Sequence, residues 1–174
     1  MTSSGLEVAL CPFMNLLTIT VIIGLFATAL TDLWALARRR LLGVPLPDFG
    51  LVGRWIAHFR SGRFRHERIS AAAPMPGERL IGWTAHYLIG ICFAALAPAL
   101  WGAQWLEHPT PVPALLVGIA TVAAPFLLMQ PGMGAGVAAS RAPRPAAARL
   151  QSIVTHTVFG LGLYVGALIT RRFT

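Results

Sequence analysis

Residues 80–101 read LIGWTAHYLIGICFAALAPALW, and this stretch decides the fold. It contains no Asp, Glu, Lys or Arg; its one ionisable group of consequence is His86. As a helix rising 1.5 Å per residue it would be about 33 Å long, enough to cross ~30 Å of hydrocarbon. Three further stretches have the same character: residues 15–37, 112–130 and 150–170. Composition agrees, with 56% hydrophobic and 11% charged residues and a mean hydropathy of +0.67. A water-soluble domain of this length needs more charge to cover its surface. The chain therefore reads as an all-α integral membrane protein. Residues 1–174 form a single membrane domain, a four-transmembrane-helix bundle with a cytoplasmic basic loop at 38–79.

All fourteen basic residues are Arg, and they cluster beside the ends of the apolar stretches. Their placement argues against nucleic acid, despite the net charge of +8, and for a bilayer with anionic lipid headgroups. Arg38, Arg39, Arg40, Arg54, Arg141 and Arg144 are the headgroup candidates. Nine Arg fall in the first loop and three between the third and fourth spans, against two at the C-terminus. Basic loops stay cytoplasmic, which predicts both termini outside. Cys11 and Cys92 have no disulfide or metal spacing.

Local signals refine this picture. Thr110-Pro111 predicts an N-cap and first helical residue for span three, and Pro145 a start for span four. Pro125 should kink or loosen span three. Within the first loop Asp48 is an N-cap candidate. After it Val52, Trp55, Ile56 and Phe59 share one helical face, opposite Arg54 and His58. That pattern predicts an amphipathic interfacial segment, with Trp55 and Phe59 dipping into lipid and Gly53 and Gly62 weakening the helix. His58, His66 and His108 read as solvated or interfacial.

Each polar residue inside the spans needs a partner or a purpose. Asp32 lies six residues before Arg38, His86 seven after Arg79, and His156 seven after Arg149, all ~9–10 Å from their Arg anchors. Gln130 closes span three on the same side, while Asn15 stands alone at the other. Gly82, Gly90, Ser152, Gly160 and Thr28 lie one turn from these side chains, as expected where helices approach closely. The expectation is an inward polar site of Asp32, His86, His156 and Gln130. Proton-linked or small-solute transport is the leading reading, with a homo-oligomer supplying the pathway. A haem ligated by His86 and His156, or a divalent metal on His86, His156 and Asp32, is the second. A structural partner subunit is the third. Ser152 and His156 are one turn apart, but a membrane-helix Ser bonds its own backbone, and no catalytic residue is assigned.

Gln130-Pro131-Gly132-Met133-Gly134-Ala135-Gly136 lacks phosphate-loop spacing. Gly132 with Gly136, and Gly162 with Gly166, read as GxxxG packing pairs.

Gly53-Arg54-Trp55 with the run to Arg68, Gly77-Glu78-Arg79 through His86-Tyr87, and Met129-Gln130-Pro131 onward through Arg144 and His156 resemble one family. It comprises small bacterial membrane proteins and carries the name domain of unknown function 2938. The resemblance covers nearly the whole chain. It implies a bacterial inner-membrane protein and carries over no activity, cofactor or catalytic residue.

Overall fold

The computed structural model describes the backbone of residues 3–173 and the side chains of residues 16–173; the side chains of Cys11 and Asn15 lie outside the described set. The described chain is all-helical, 76% helix with no strand. The principal elements are α1 (Ser3–Leu42), α2 (Phe49–Ala57), α3 (Glu78–Ala94), α4 (Leu96–Trp101), α5 (Gln104–Glu107), α6 (Pro111–Ala120), α7 (Gln130–Met133) and α8 (Pro145–Thr170). Short 3₁₀ turns occupy His58–Ser61, Ile69–Ala71 and Val137–Ala139, and a π-helical turn Pro125–Met129. Four helical stretches are long and apolar enough to cross a membrane: Leu16–Leu42, Glu78–Trp101, Pro111–Met133 and Pro145–Thr170.

α1 continues through the Arg38–Arg40 run and ends at Gly43, whose φ of +65° takes the left-handed conformation favoured after a helix. Arg39 and Arg40 sit in its last turn, where cations complement the helix dipole. α6 begins at Pro111 and α8 at Pro145, as the sequence predicts. Thr110 takes the extended N-cap conformation, but its hydroxyl caps nothing. Pro125 has the predicted effect. Lacking an N–H, it breaks the α-helical ladder, and the third stretch passes through a turn at Thr121–Val122 and then π geometry.

α1 packs against both α3 and α8, and α6 packs against the other side of α8. Close approach depends on glycine. A Cβ on Gly24 would overlap Ile91, one on Gly90 would overlap Thr28, and one on Gly162 would lie 2.8 Å from the Ala27 backbone. A Cβ at Gly118 would lie 2.7 Å from Gly160. The core is accordingly rich in alanine, with Ala27, Ala97, Ala114 and Ala167 fully buried around the larger Leu163, Ile23 and Phe159. Large apolar side chains point the other way: Leu33 is 62% exposed, Leu80 74% and Leu128 67%. Small residues at the close contacts and many large apolar side chains turned outward is the arrangement of helices that pack in an apolar solvent.

Two local expectations are corrected. Helical geometry past Pro131 stops at Met133, and Gly134 turns left-handed at φ +96°, so Gly136 lies off the helix and the Gly132/Gly136 pair never forms. In α2, Asp48 caps as expected, Oδ1 accepting the Gly50 N–H at 2.9 Å. The buried face of α2, however, is Gly50, Gly53 and Ala57, and it lies directly on α3. Gly53, expected to weaken the helix, is the contact itself: a Cβ there would overlap the Glu78 carbonyl oxygen. Trp55 donates its indole N–H to the Phe64 carbonyl at 2.9 Å, and its ring covers Gly132.

Candidate functional site

The α1–α3 contact determines the site. Thr28 donates its hydroxyl back to the Gly24 carbonyl (2.7 Å), which satisfies that polar group within α1, and Gly90 closes directly on the hydroxyl oxygen, where a Cβ would overlap it. One turn further along α1, Asp32 meets α3. His86 Nε2 lies 3.0 Å from Asp32 Oδ1, and the Tyr87 hydroxyl donates to Asp32 Oδ2 at 2.9 Å. Where Asp32 is a carboxylate it only accepts, and His86 then donates from Nε2 beside the Tyr87 hydroxyl. The pair is partly buried, with side chains 20% (His86) and 26% (Asp32) exposed.

α2 completes the enclosure. A Cβ on Gly82 would overlap the Phe49 carbonyl, so α2 sits flush on α3 and lays Phe49 over the imidazole. The Phe49 and His86 rings are stacked at 4.0 Å between centroids, and Trp83 lies 4.7 Å from Phe49. No hydrogen bond is made by His86 Nδ1 among the described residues. The imidazole therefore has one nitrogen committed to Asp32 and one open to a proton or ligand. Chemically the arrangement is a carboxylate with two protic donors, able to pass a proton between oxygen and nitrogen without moving backbone.

The expected set divides here. His156 does not join Asp32. Its Nδ1 lies 3.1 Å from Thr121 Oγ1 and 3.2 Å from the Gly118 carbonyl, at the break in the third stretch. Thr121 itself donates to Gly118 O at 2.7 Å, which leaves its lone pairs for the imidazole and places the His156 proton on Nδ1. α8 turns His156 toward α6 and not toward α1. Among the described residues no three His, Cys, Asp or Glu side chains come together as metal ligands, so the Asp32, His86 and His156 set does not form. The two imidazoles are held by separate helix pairs, His86 against Asp32 of α1 and His156 against Gly118 of α6. Gln130 heads α7, its Oε1 buried with no hydrogen-bond partner among the described residues.

The arginines also divide. Arg39, Arg40, Arg141 and Arg144 are exposed. Arg38 is only 9% exposed, on the buried seam that continues Thr31 and Ala35, with its guanidinium 5.9 Å from the Trp34 ring. Arg54 is engaged within the protein. Its Nε and a terminal nitrogen each meet Glu78 at 2.8 Å, and the other terminal nitrogen donates to Ala72 O at 3.1 Å. That fork holds the Arg54 pKa above its ordinary value, chiefly through the hydrogen bonds to Glu78. The expectation of solvated His58 is overturned: the 3₁₀ turn after α2 carries it inward to 7% exposure, with Nε2 3.3 Å from Ala73 O.

Sequence reasoning missed Tyr87, Phe49 and Thr121. Tyr87 had a readable signal, being adjacent to His86 and so able to reach the second carboxylate oxygen. Phe49 and Thr121 had none, since their roles arise from α2 docking and from the broken third stretch.

The family described as "Protein of unknown function (DUF2938)" matches residues 21–170, which includes every side chain of this site. No curated protein and no solved structure matches the chain.

Proposed function

The chain belongs to this family of unknown function, and from that premise we propose a multi-pass membrane protein whose Asp32–His86–Tyr87 cluster accepts and releases protons in support of small-solute or proton transport. One observation carries the reading: a single carboxylate gathers an imidazole and a phenol within apolar helices, at 3.0 and 2.9 Å. Ionisable groups in such a setting mark relays and pathways more often than scaffolding. His86 takes up a proton at Nδ1 and passes the one on Nε2 to Asp32, which then releases it, while the Tyr87 hydroxyl donates to the other carboxylate oxygen and steadies its charge.

The proposal places the protein in a bacterial inner membrane with both termini outside. The long loop then lies on the inner surface, with Arg39, Arg40, Arg141 and Arg144 against anionic headgroups. The bundle is thin for an aqueous pathway, and a homo-oligomer supplies the missing wall.

The test uses purified protein in liposomes loaded with a pH-sensitive dye, the potential clamped by potassium and valinomycin. Wild type dissipates an imposed pH gradient, and Asp32→Asn does not. Equal rates for the two proteins would refute the proposal. A reporter fused at Thr174 and found cytoplasmic would refute the orientation alone.

A further inference from the structure

The loop between α1 and α3 contains a second polar feature, away from Asp32. Residues 63–68 are fixed against the end of the third stretch. The His66 backbone N–H donates to Gly132 O at 2.8 Å, the Phe64 carbonyl accepts Trp55, and a Cβ at Gly134 would overlap the Glu67 carbonyl. On this held segment lies an open groove of about 420 Å³, lined by Arg63, His66, Glu67 and Arg68, with Ala71 and Ala72 completing it.

The donors of the groove are left without partners. His66 Nε2 is buried and makes no hydrogen bond among the described residues. The ring packs 4.9 Å from His58, whose Nε2 is already occupied with Ala73 O, so His58 offers it nothing. Among the described residues, neither Arg63 nor Arg68 has a carboxylate within ion-pair distance, Glu67 included. A buried polar atom without a partner calls for an explanation, and an absent ligand is one of the few available. Burial, reinforced by His58 and Arg63, pushes the His66 pKa down, so near neutral pH the ring offers a hydrogen bond and no charge.

We propose that this groove binds a phosphate group, Arg63 and Arg68 supplying charge and His66 Nε2–H a directed hydrogen bond. Two guanidinium forks and an imidazole suit a tetrahedral oxyanion with several acceptor oxygens better than a planar carboxylate. Glu67 beside the anion favours a phosphate whose further moiety is neutral or cationic. Phospholipid headgroups and soluble phosphate esters share this chemistry. The proposal stands apart from the Asp32 reading, and loss of either leaves the other intact.

The experiment uses the full chain purified in detergent, with two arms. Calorimetry with inorganic phosphate and with phosphoethanolamine tests the soluble source. Native mass spectrometry after reconstitution into phosphatidylethanolamine and phosphatidylglycerol nanodiscs tests the headgroup. Arg63→Gln/Arg68→Gln is compared with wild type, with His66→Gln, and with Arg39→Gln/Arg40→Gln as a matched change of charge. Circular dichroism checks that each variant is folded. Saturable phosphate binding that falls about tenfold or more in Arg63→Gln/Arg68→Gln, and in no Arg39/Arg40 variant, supports a soluble ligand. Retained phospholipid lost only in the Arg63/Arg68 variant supports a headgroup. No binding in either arm, or equal losses in both double variants, overturns the proposal.

Discussion

Asp32 Oδ1 lies 3.0 Å from His86 Nε2 where α1 and α3 cross, four residues beyond the point at which Thr28 fills the space left by Gly90. The glycine contact and the polar pair belong to one interface, so packing sets the distance over which the proton moves.

Tyr87→Phe removes one of two donors to the carboxylate and leaves the packing unchanged. The expected loss is about 0.6–1.7 kcal/mol, the range for hydrogen bonds between membrane helices. Asp32→Ala should cost more, because it leaves two donors without an acceptor. Reversible unfolding in mixed detergent micelles measures both.

His156→Ala and Thr121→Val act at the α6–α8 contact and share no partner with Asp32. Each should leave the Asp32-dependent proton flux near its wild-type rate, and a double variant with Tyr87→Phe should be additive within about 0.5 kcal/mol. A flux collapse in His156→Ala would restore a single four-residue site.

Gly53→Ala and Gly82→Ala each drive a methyl into backbone across the α2–α3 contact. Overpacking of this kind costs about 1–3 kcal/mol. Because α2 also positions Phe49, both variants should release the ring from His86, read as a shift of the His86 imidazole resonances.

Arg54→Lys keeps the charge and loses the fork, since an ammonium cannot span both Glu78 oxygens and Ala72 O. The loop should loosen, and trypsin should cut at the exposed Arg60, Arg63, Arg65 and Arg68 faster than in wild type. Glu78→Gln should do the same. Unchanged digestion would mean that the pair does not hold the loop.

His66 has a folded pKa lowered by burial, with His58 and Arg63 adding to the effect. The unfolded chain therefore takes up this proton first as pH falls. The contribution of His66 to stability is intact above the ordinary imidazole range and declines as pH drops through it. Melting temperature should fall between about pH 7 and 5, and His66→Gln should flatten that slope. A bound phosphate accepting from His66 should oppose the fall.

Sequence made some features legible because they depend on chain-local chemistry. Asp48 caps α2, Pro111 and Pro145 start helices, and Pro125 loosens one, each through the fixed properties of a cap or of a ring without an N–H. The pairing of Asp32 with His86 was legible as a shared depth, read by counting from Arg anchors. Arg54 was misread because an Arg beside a membrane span has two outlets, a headgroup or a carboxylate, and Glu78 is 24 residues away. Gly53 was misread because propensity treats glycine as weakness, whereas a contact that admits no Cβ requires it.

Sequence alone determined the four apolar helices, the starts of α6 and α8 and the place of each polar group along its helix, because hydropathy and residue counting act along the helix axis. Tertiary structure decided rotation about that axis. His86 and His156 each lie seven residues after an Arg, yet the Gly90–Thr28 contact turns one toward Asp32 while the Gly118–Gly160 contact turns the other toward Thr121. Helix rotation is fixed by which small residues let two backbones meet, and that choice is made between helices and not within any one of them.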